Sequence, residues 1–290
     1  MNKSSPWSCI DAHQHCWQLA TAEWPTSELE PIYRDFSPLD FAAAAGPDVA
    51  SVLVQSQPTE QDTEYLLNLA RAHRSVLGVV GWVNLAESNA VQRLEHFARD
   101  RLLRGVRPML QGLQNDRWIL QDAIAPALDA LVRLDLCFDA LVFTRHLPHI
   151  LALADQYPNL RIVIDHSAKP DIAGGEWTQW YGHLVPLAAR SNVYCKLSGL
   201  ITEAAPGASL AVVTHYAEAV LNLFGSERVL WGSDWPVLNL ASEYRQWHDF
   251  CQKLVKSFDS SAEKAIFCDN AIKVYGLEPG LPEPLLNKND

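Results

Sequence analysis

Short apolar runs rich in Val, Ile and Leu recur along the 290-residue chain, and stretches with helical spacing separate them. Eight runs can be marked, at 8–12, 49–55, 76–83, 102–107, 134–139, 160–165, 192–197 and 228–232. Several are almost continuously apolar, as Ile162, Val163 and Ile164 are between Arg161 and Asp165. That pattern predicts strands buried on both faces, as in a parallel sheet. Successive runs begin at least 26 residues apart, which leaves room for a loop, a helix and a return. Between them, Leu66, Leu69 and Ala70 repeat at helical spacing, as do Val91, Leu94, Phe97 and Ala98. A long amphipathic stretch over 119–134 contains Pro126, which predicts a kink. The helices over 149–157 and 211–224 stop at Pro158 and Gly225.

Eight strand–helix units predict the α/β class and a (β/α)8 TIM barrel, in preference to an open doubly wound sheet. No Gly-x-Gly-x-x-Gly or Walker loop follows any run, which removes the main support for a nucleotide-binding sheet. The chain reads as one domain over 1–290, with a core of about 9–276 and a short tail over 277–290 rich in Pro and Leu.

Composition narrows the partners. The net charge is −11 and no Lys/Arg cluster stands out, which argues against nucleic acid and anionic membranes. No apolar stretch approaches the ~18 residues of a membrane span. The six cysteines form no Cys-x-x-Cys pair and read as buried thiols of a cytoplasmic protein. A homo-oligomer stays open.

In a barrel, chemistry belongs at the carboxyl ends of the strands. There the runs present His13 and His15, Gln55, Trp82, Arg107, Asp139, Asp165 and His166, Lys196 and Ser198, and Asp234. Polar groups gather at the same end of nearly every run, which chance would not arrange. His13 and His15 are two residues apart, so on a strand both rings point one way and can share an ion. His166 and Asp234 complete three nitrogens and one oxygen, a donor set for zinc or manganese. Arg107, before Pro108, is positioned to hold a carboxylate or polarise a carbonyl. Lys196 points either inward or outward. Glu203 is either a residue of the barrel mouth or an acid at a helix start. Most of the ten tryptophans are expected to pack, with Trp17 and Trp235 foremost as an apolar wall for a ring.

The segments Asp11–His15 with Trp17, Arg104–Gln111, Val163–Pro170, Lys196–Gly199 and Trp231–Pro236, in this order, resemble the amidohydrolase superfamily. The likeness runs from about Cys9 to Gly276 and is greatest for the branch of sugar-acid lactonases, with pyrone-dicarboxylate lactonases as relatives. The resemblance implies a barrel that hydrolyses a small lactone, with His13, His15, His166 and Asp234 at its metal positions and Asp234, His166 and Arg107 as catalytic groups. It also implies a substrate lined by Trp17, Gln55, Trp82, Arg107, Lys196, Glu203 and Trp235. Arg107 stands where two-metal members carry a bridging lysine, and the run that ends at Asp139 lacks a ligand histidine. The resemblance therefore implies one divalent metal at most, and some members of the branch work without metal. Two other readings are a metal-dependent decarboxylase of an aromatic acid and a barrel that only binds a sugar acid.

Overall fold

A computed structural model describes residues 6–278 and 280. Its centre is a parallel sheet of eight strands in sequence order: β1 (Cys9–Gln14), β2 (Val49–Val54), β3 (Val76–Gly81), β4 (Leu103–Val106), β5 (Cys137–Ala140), β6 (Ile162–Ile164), β7 (Val193–Leu197) and β8 (Val229–Trp231). Each lies within or beside one of the eight apolar runs. All neighbouring pairs are parallel, from β1 with β2 to β7 with β8. The ends of β1 and β8 then meet. Asp234 N donates to His13 O at 2.9 Å, and His15 N donates to Trp235 O at 2.8 Å. The sheet is thus a nearly closed (β/α)8 barrel.

Helices return the chain between strands: α1 (Pro38–Ala45), α2 (Glu60–Ala72), α3 (Ala90–Phe97), α4 (Ala125–Arg133), α5 (Leu147–Gln156), α6 (Thr178–Ala188), α7 (Thr214–Phe224) and α8 (Tyr244–Phe258). Local chemistry sets their ends. Ser37 and Asp40 form a reciprocal capping box at α1, and Thr59 accepts from Asp62 N at the start of α2. Along α8, Tyr244, Trp247, Cys251 and Val255 are the buried residues, a stripe at three- and four-residue spacing. Pro126 does not kink a long helix as the sequence predicts. It sits in the first turn of α4, where its missing N–H costs nothing, and separate 3-10 turns precede it.

The core has two layers. The larger lies between helices and strands, and the smaller fills the barrel lumen with Ile10, Ala12, Val52, Val80, Val163 and Leu230. A final helix, α9 (Asn270–Tyr275), plugs the lumen from below with Ala271, Val274 and Tyr275. Of the predicted tail over 277–290, all but residues 277, 278 and 280 lie outside the described residues. Leu277 is buried in the lumen layer, and Glu278 pairs with Arg101. Among the described residues no helix is long and apolar enough to cross a membrane.

One carboxylate ties the barrel seam. Asp11 Oδ1 accepts both His13 N (3.1 Å) and Ser233 N (2.9 Å), while Oδ2 is buried without a hydrogen-bond partner. Burial pushes its carboxyl up to about 7, against the hydrogen bonds that lower it. The folded protein therefore binds this proton more tightly than the unfolded chain, so Asp11 lowers stability progressively as pH rises from about 4 to about 7. An Asp11→Asn protein keeps an oxygen for both N–H groups and loses the buried charge. Its stability relative to the parent, measured by urea unfolding across that range, is expected to increase with pH. A difference that stays flat contradicts the assignment.

Candidate active site

The carboxyl ends of the strands converge on a cleft of about 530 Å³, lined by His15, Arg107, His166 and Asp234 from strand ends and by Trp24, Gln57, Met109, Lys169 and others from loops. A register shift between Asp11 and Gln14 breaks the alternation of β1, so His13 follows Ala12 into the lumen. His13 Nε2 lies 3.2 Å from His15 Nε2, and the ring centroids of His13 and His166 are 4.4 Å apart. Asp234 Oδ1 lies 3.1 Å from His15 Nε2, 3.6 Å from His13 Nε2 and 3.8 Å from His166 Nε2. The four residues that the sequence singles out as a donor set therefore meet in one place.

Neighbouring groups aim these rings. His15 Nδ1 donates to Val54 O at 2.8 Å, which leaves the Nε2 lone pair facing Asp234. His166 Nδ1 pairs with Ser198 Oγ at 2.9 Å, which leaves its Nε2 toward the carboxylate. Burial lowers the His166 imidazole to about 4, so it is neutral at pH 7. Burial by itself would raise the Asp234 carboxyl. The facing His166, with His15 and His13 beside it, outweighs that burial and holds Asp234 well below the usual carboxylate range. A neutral His166 imidazole beside an ionised carboxylate suits a cation.

The spacing of His13, His15 and Asp234 fits one ion. Ligands about 2.0–2.1 Å from a tetrahedral zinc are roughly 3.4 Å from each other, and the separations here run from 3.1 to 3.6 Å. His13, His15 and Asp234 form one candidate triad, and His13, Asp165 and His166 form another. Asp165, beside His166 at the end of β6, stands 3.4 Å from His13 Nδ1 and 2.9 Å from Lys196 Nζ.

Backbone strain marks the same place. Asp234 has φ +62°, and His166, Ser167, Ala168 and Lys169 run consecutively at +50°, +53°, +64° and +48°. Four residues with side chains thus form a left-handed turn, closed by Lys169 N donating to His166 O at 2.8 Å. Trp180 Nε1 donates to Ser167 O at 2.7 Å, and Ser167 Oγ donates to Lys196 O at 3.1 Å. The turn sends both His166 and Lys169 into the cleft.

Several residues assigned from the sequence to the substrate stand elsewhere. Lys196 is wholly buried beneath His13, with its ammonium 2.6 Å from Asp139 and 2.9 Å from Asp165, so it faces inward and does not reach the cleft. Gln55 is also buried, and its Nε2 donates to Arg107 O at 2.7 Å. Trp17 and Trp235 do not wall the cleft. Both pack edge-on against Phe36, and Trp235 also against Phe41. Trp82 is half-buried but does not line the cleft, and its backbone bonds Thr63 Oγ1. Glu203 ends the 3-10 turn Ile201–Glu203, pairs with Lys169 at 3.1 Å and lines an adjoining chamber. Arg107 does line the cleft, with Nη1 3.4 Å from His13 Nε2 and Nη2 donating to Gln55 O. The aromatic face in the cleft is Trp24, whose loop, held by Gln57, carries no periodic signal that would have marked it.

The Amidohydrolase family model matches residues 10–277. The chain is 47% identical over 278 residues to an L-fucono-1,5-lactonase of Burkholderia ambifaria, covering 93% of this chain and 96% of the relative. It is 33% identical to an L-fucono-1,5-lactonase of Burkholderia multivorans, covering 95% and 97%. Among solved structures, an amidohydrolase from Burkholderia multivorans with bound zinc superposes with a TM-score of 0.85 at 31% identity, covering 93% of this chain and 99% of that one.

Gly199, at φ +63°, lies against the His166 ring, and a Cβ there would approach Nδ1 to 2.5 Å. A Gly199→Ala protein is expected to lose roughly 1–3 kcal/mol of stability from the strained backbone. Chemical denaturation measures this, and an unchanged midpoint would show that the turn yields freely.

Proposed function

The chain belongs to the amidohydrolase family, and we propose that it is a lactonase that opens a sugar-acid lactone of the L-fucono-1,5-lactone type. The observation that carries this reading is the convergence of three imidazoles on the Asp234 carboxylate at the floor of a cleft that Arg107 also lines. The two curated lactonases that resemble nearly the whole chain support the substrate class.

A lactone offers a carbonyl to polarise and a ring oxygen to expel. Asp234, held ionised, accepts a proton from water as the water oxygen adds to the carbonyl carbon. Arg107 faces the developing oxyanion, and a preorganised donor of that kind is worth about 3–4 kcal/mol. Collapse of the tetrahedral centre breaks the bond from carbonyl carbon to ring oxygen. Asp234 returns its proton to the departing alkoxide, and the product is the open-chain hydroxy acid. His13, His15 and Asp234, with His166 at 3.8 Å from the carboxylate as a fourth donor, would hold a divalent ion, zinc or manganese, a reading that the spacing of the first three and the zinc-bound relative support. Such an ion supplies Lewis acidity toward the carbonyl and acidifies bound water. The six cysteines, free and buried, support a reducing, cytoplasmic setting.

A panel of aldonolactones followed with a pH indicator tests the activity, with acid release expected for five- or six-membered sugar lactones. Asp234→Asn should lower kcat by about 10²–10⁴-fold with the fold intact by circular dichroism, and normal turnover would remove Asp234 from the chemistry. Elemental analysis of purified protein should find close to one divalent ion per chain, and substantially less in His15→Ala. Equal metal content in parent and variant would place the ion elsewhere.

A further inference from the structure

Lys169 stands at the end of the left-handed turn and reaches the cleft, 3.1 Å from Glu203 Oε1. Among the described residues, its ammonium and the Arg107 guanidinium are the two Lys/Arg cations that line the cleft. Arg145, the other cation that a carboxylate-bearing substrate could recruit, lines the adjoining chamber rather than the cleft and is itself paired with Asp116 at 3.0 Å. Glu203 is fixed by its place in the chain after β7. The carboxylates of Asp171 and Glu176 line the same adjoining chamber, and Glu23 lines the cleft itself. An anionic substituent near Lys169 would thus meet an ammonium already matched by a carboxylate, with further negative groups behind it. Specificity built this way comes from the repulsive partner as much as from the attractive one.

We propose that Glu203 is a specificity-determining residue: by holding Lys169 in a neutral pair at the cleft edge, it makes the site admit uncharged polyhydroxy lactones and reject lactones that carry a carboxylate. The pair offers a sugar both a donor and an acceptor, which suits hydroxyl groups. Removing the carboxylate frees a cation beside the cleft, and removing the ammonium leaves an unmatched anion. The inference rests on the lactonase reading for its substrates, but the charge filter itself acts on binding.

The test compares galactono-1,4-lactone with its carboxylate-bearing analogue, galactaro-1,4-lactone, on the parent and on Glu203→Gln, Lys169→Met and the double variant. The ratio of kcat/KM, anionic over neutral, is expected to increase about tenfold or more in Glu203→Gln, the equivalent of about 1.4 kcal/mol. It should decrease in Lys169→Met and return toward the parent value in the double variant. A purely structural pair would change both substrates alike and leave the ratio unmoved, which overturns the proposal. If Glu203→Gln does not fold, the direction in Lys169→Met decides. Calorimetric binding of galactarate, tighter in Glu203→Gln than in the parent, provides a readout independent of turnover. A parent that opens no lactone while galactarate binding still shifts sinks the hydrolase reading alone. Lactone opening with an unmoved ratio sinks the filter alone.

Discussion

The seam between the first and last strands is the constraint on which the rest depends. His13 and His15 are separated from Asp234 by more than 200 residues, and two backbone hydrogen bonds across the seam set the distance between them. The side chain of Asp11 fastens the same join from outside the ring of donors, its Oδ1 accepting a backbone N–H from each side. Gly232 belongs to this join because any Cβ there would sit 2.9 Å from the His13 Cβ. A barrel that closed one residue out of register would separate the carboxylate from the imidazoles.

Below the site the lumen is ionic where a barrel interior is usually apolar. Lys196 stays charged, because Asp139 and Asp165 outweigh the burial that would neutralise it. Tyr275 OH donates to Asp139 Oδ2 at 2.7 Å, so the plug helix α9 contributes directly to the network. Buried charges carry a large desolvation cost, and removing one partner of such a set typically costs about 3–5 kcal/mol. What the network provides is orientation. His13 has Asp165 and Lys196 at its Nδ1 side, and Arg107 reaches Asp165 Oδ2 at 3.5 Å. This matches the general pattern in which outer groups fix the rings that hold a metal.

The left-handed turn after β6 is the other expense. Each such residue costs about 1–2 kcal/mol, and four occur in a row. Hydrogen bonds from Trp180 and to Lys196 O, with full burial of Ser167, over-determine it. In return, a three-residue step places an imidazole and an ammonium on the same wall. Strain of this kind collects where geometry matters more than stability.

Apolar periodicity was enough to place all eight strands, because strands buried on both faces leave a continuous signal that needs no knowledge of their neighbours. The convergence of His13, His15, His166 and Asp234 was legible for a related reason: a parallel barrel puts every strand end on one rim, so residues at those ends must be close. Which side chains actually face the cleft was decided by tertiary structure. Lys196 and Gln55 occupy strand positions like the donors, yet one is drawn under His13 by two carboxylates and the other is taken by a backbone carbonyl. Trp17 and Trp235 became core because Phe36 and Phe41 fold over them, while Trp24 was delivered to the cleft by a loop held by Gln57. Linear order specifies which groups share the rim. Packing and charge pairing between distant segments determine which of them remain free for a ligand.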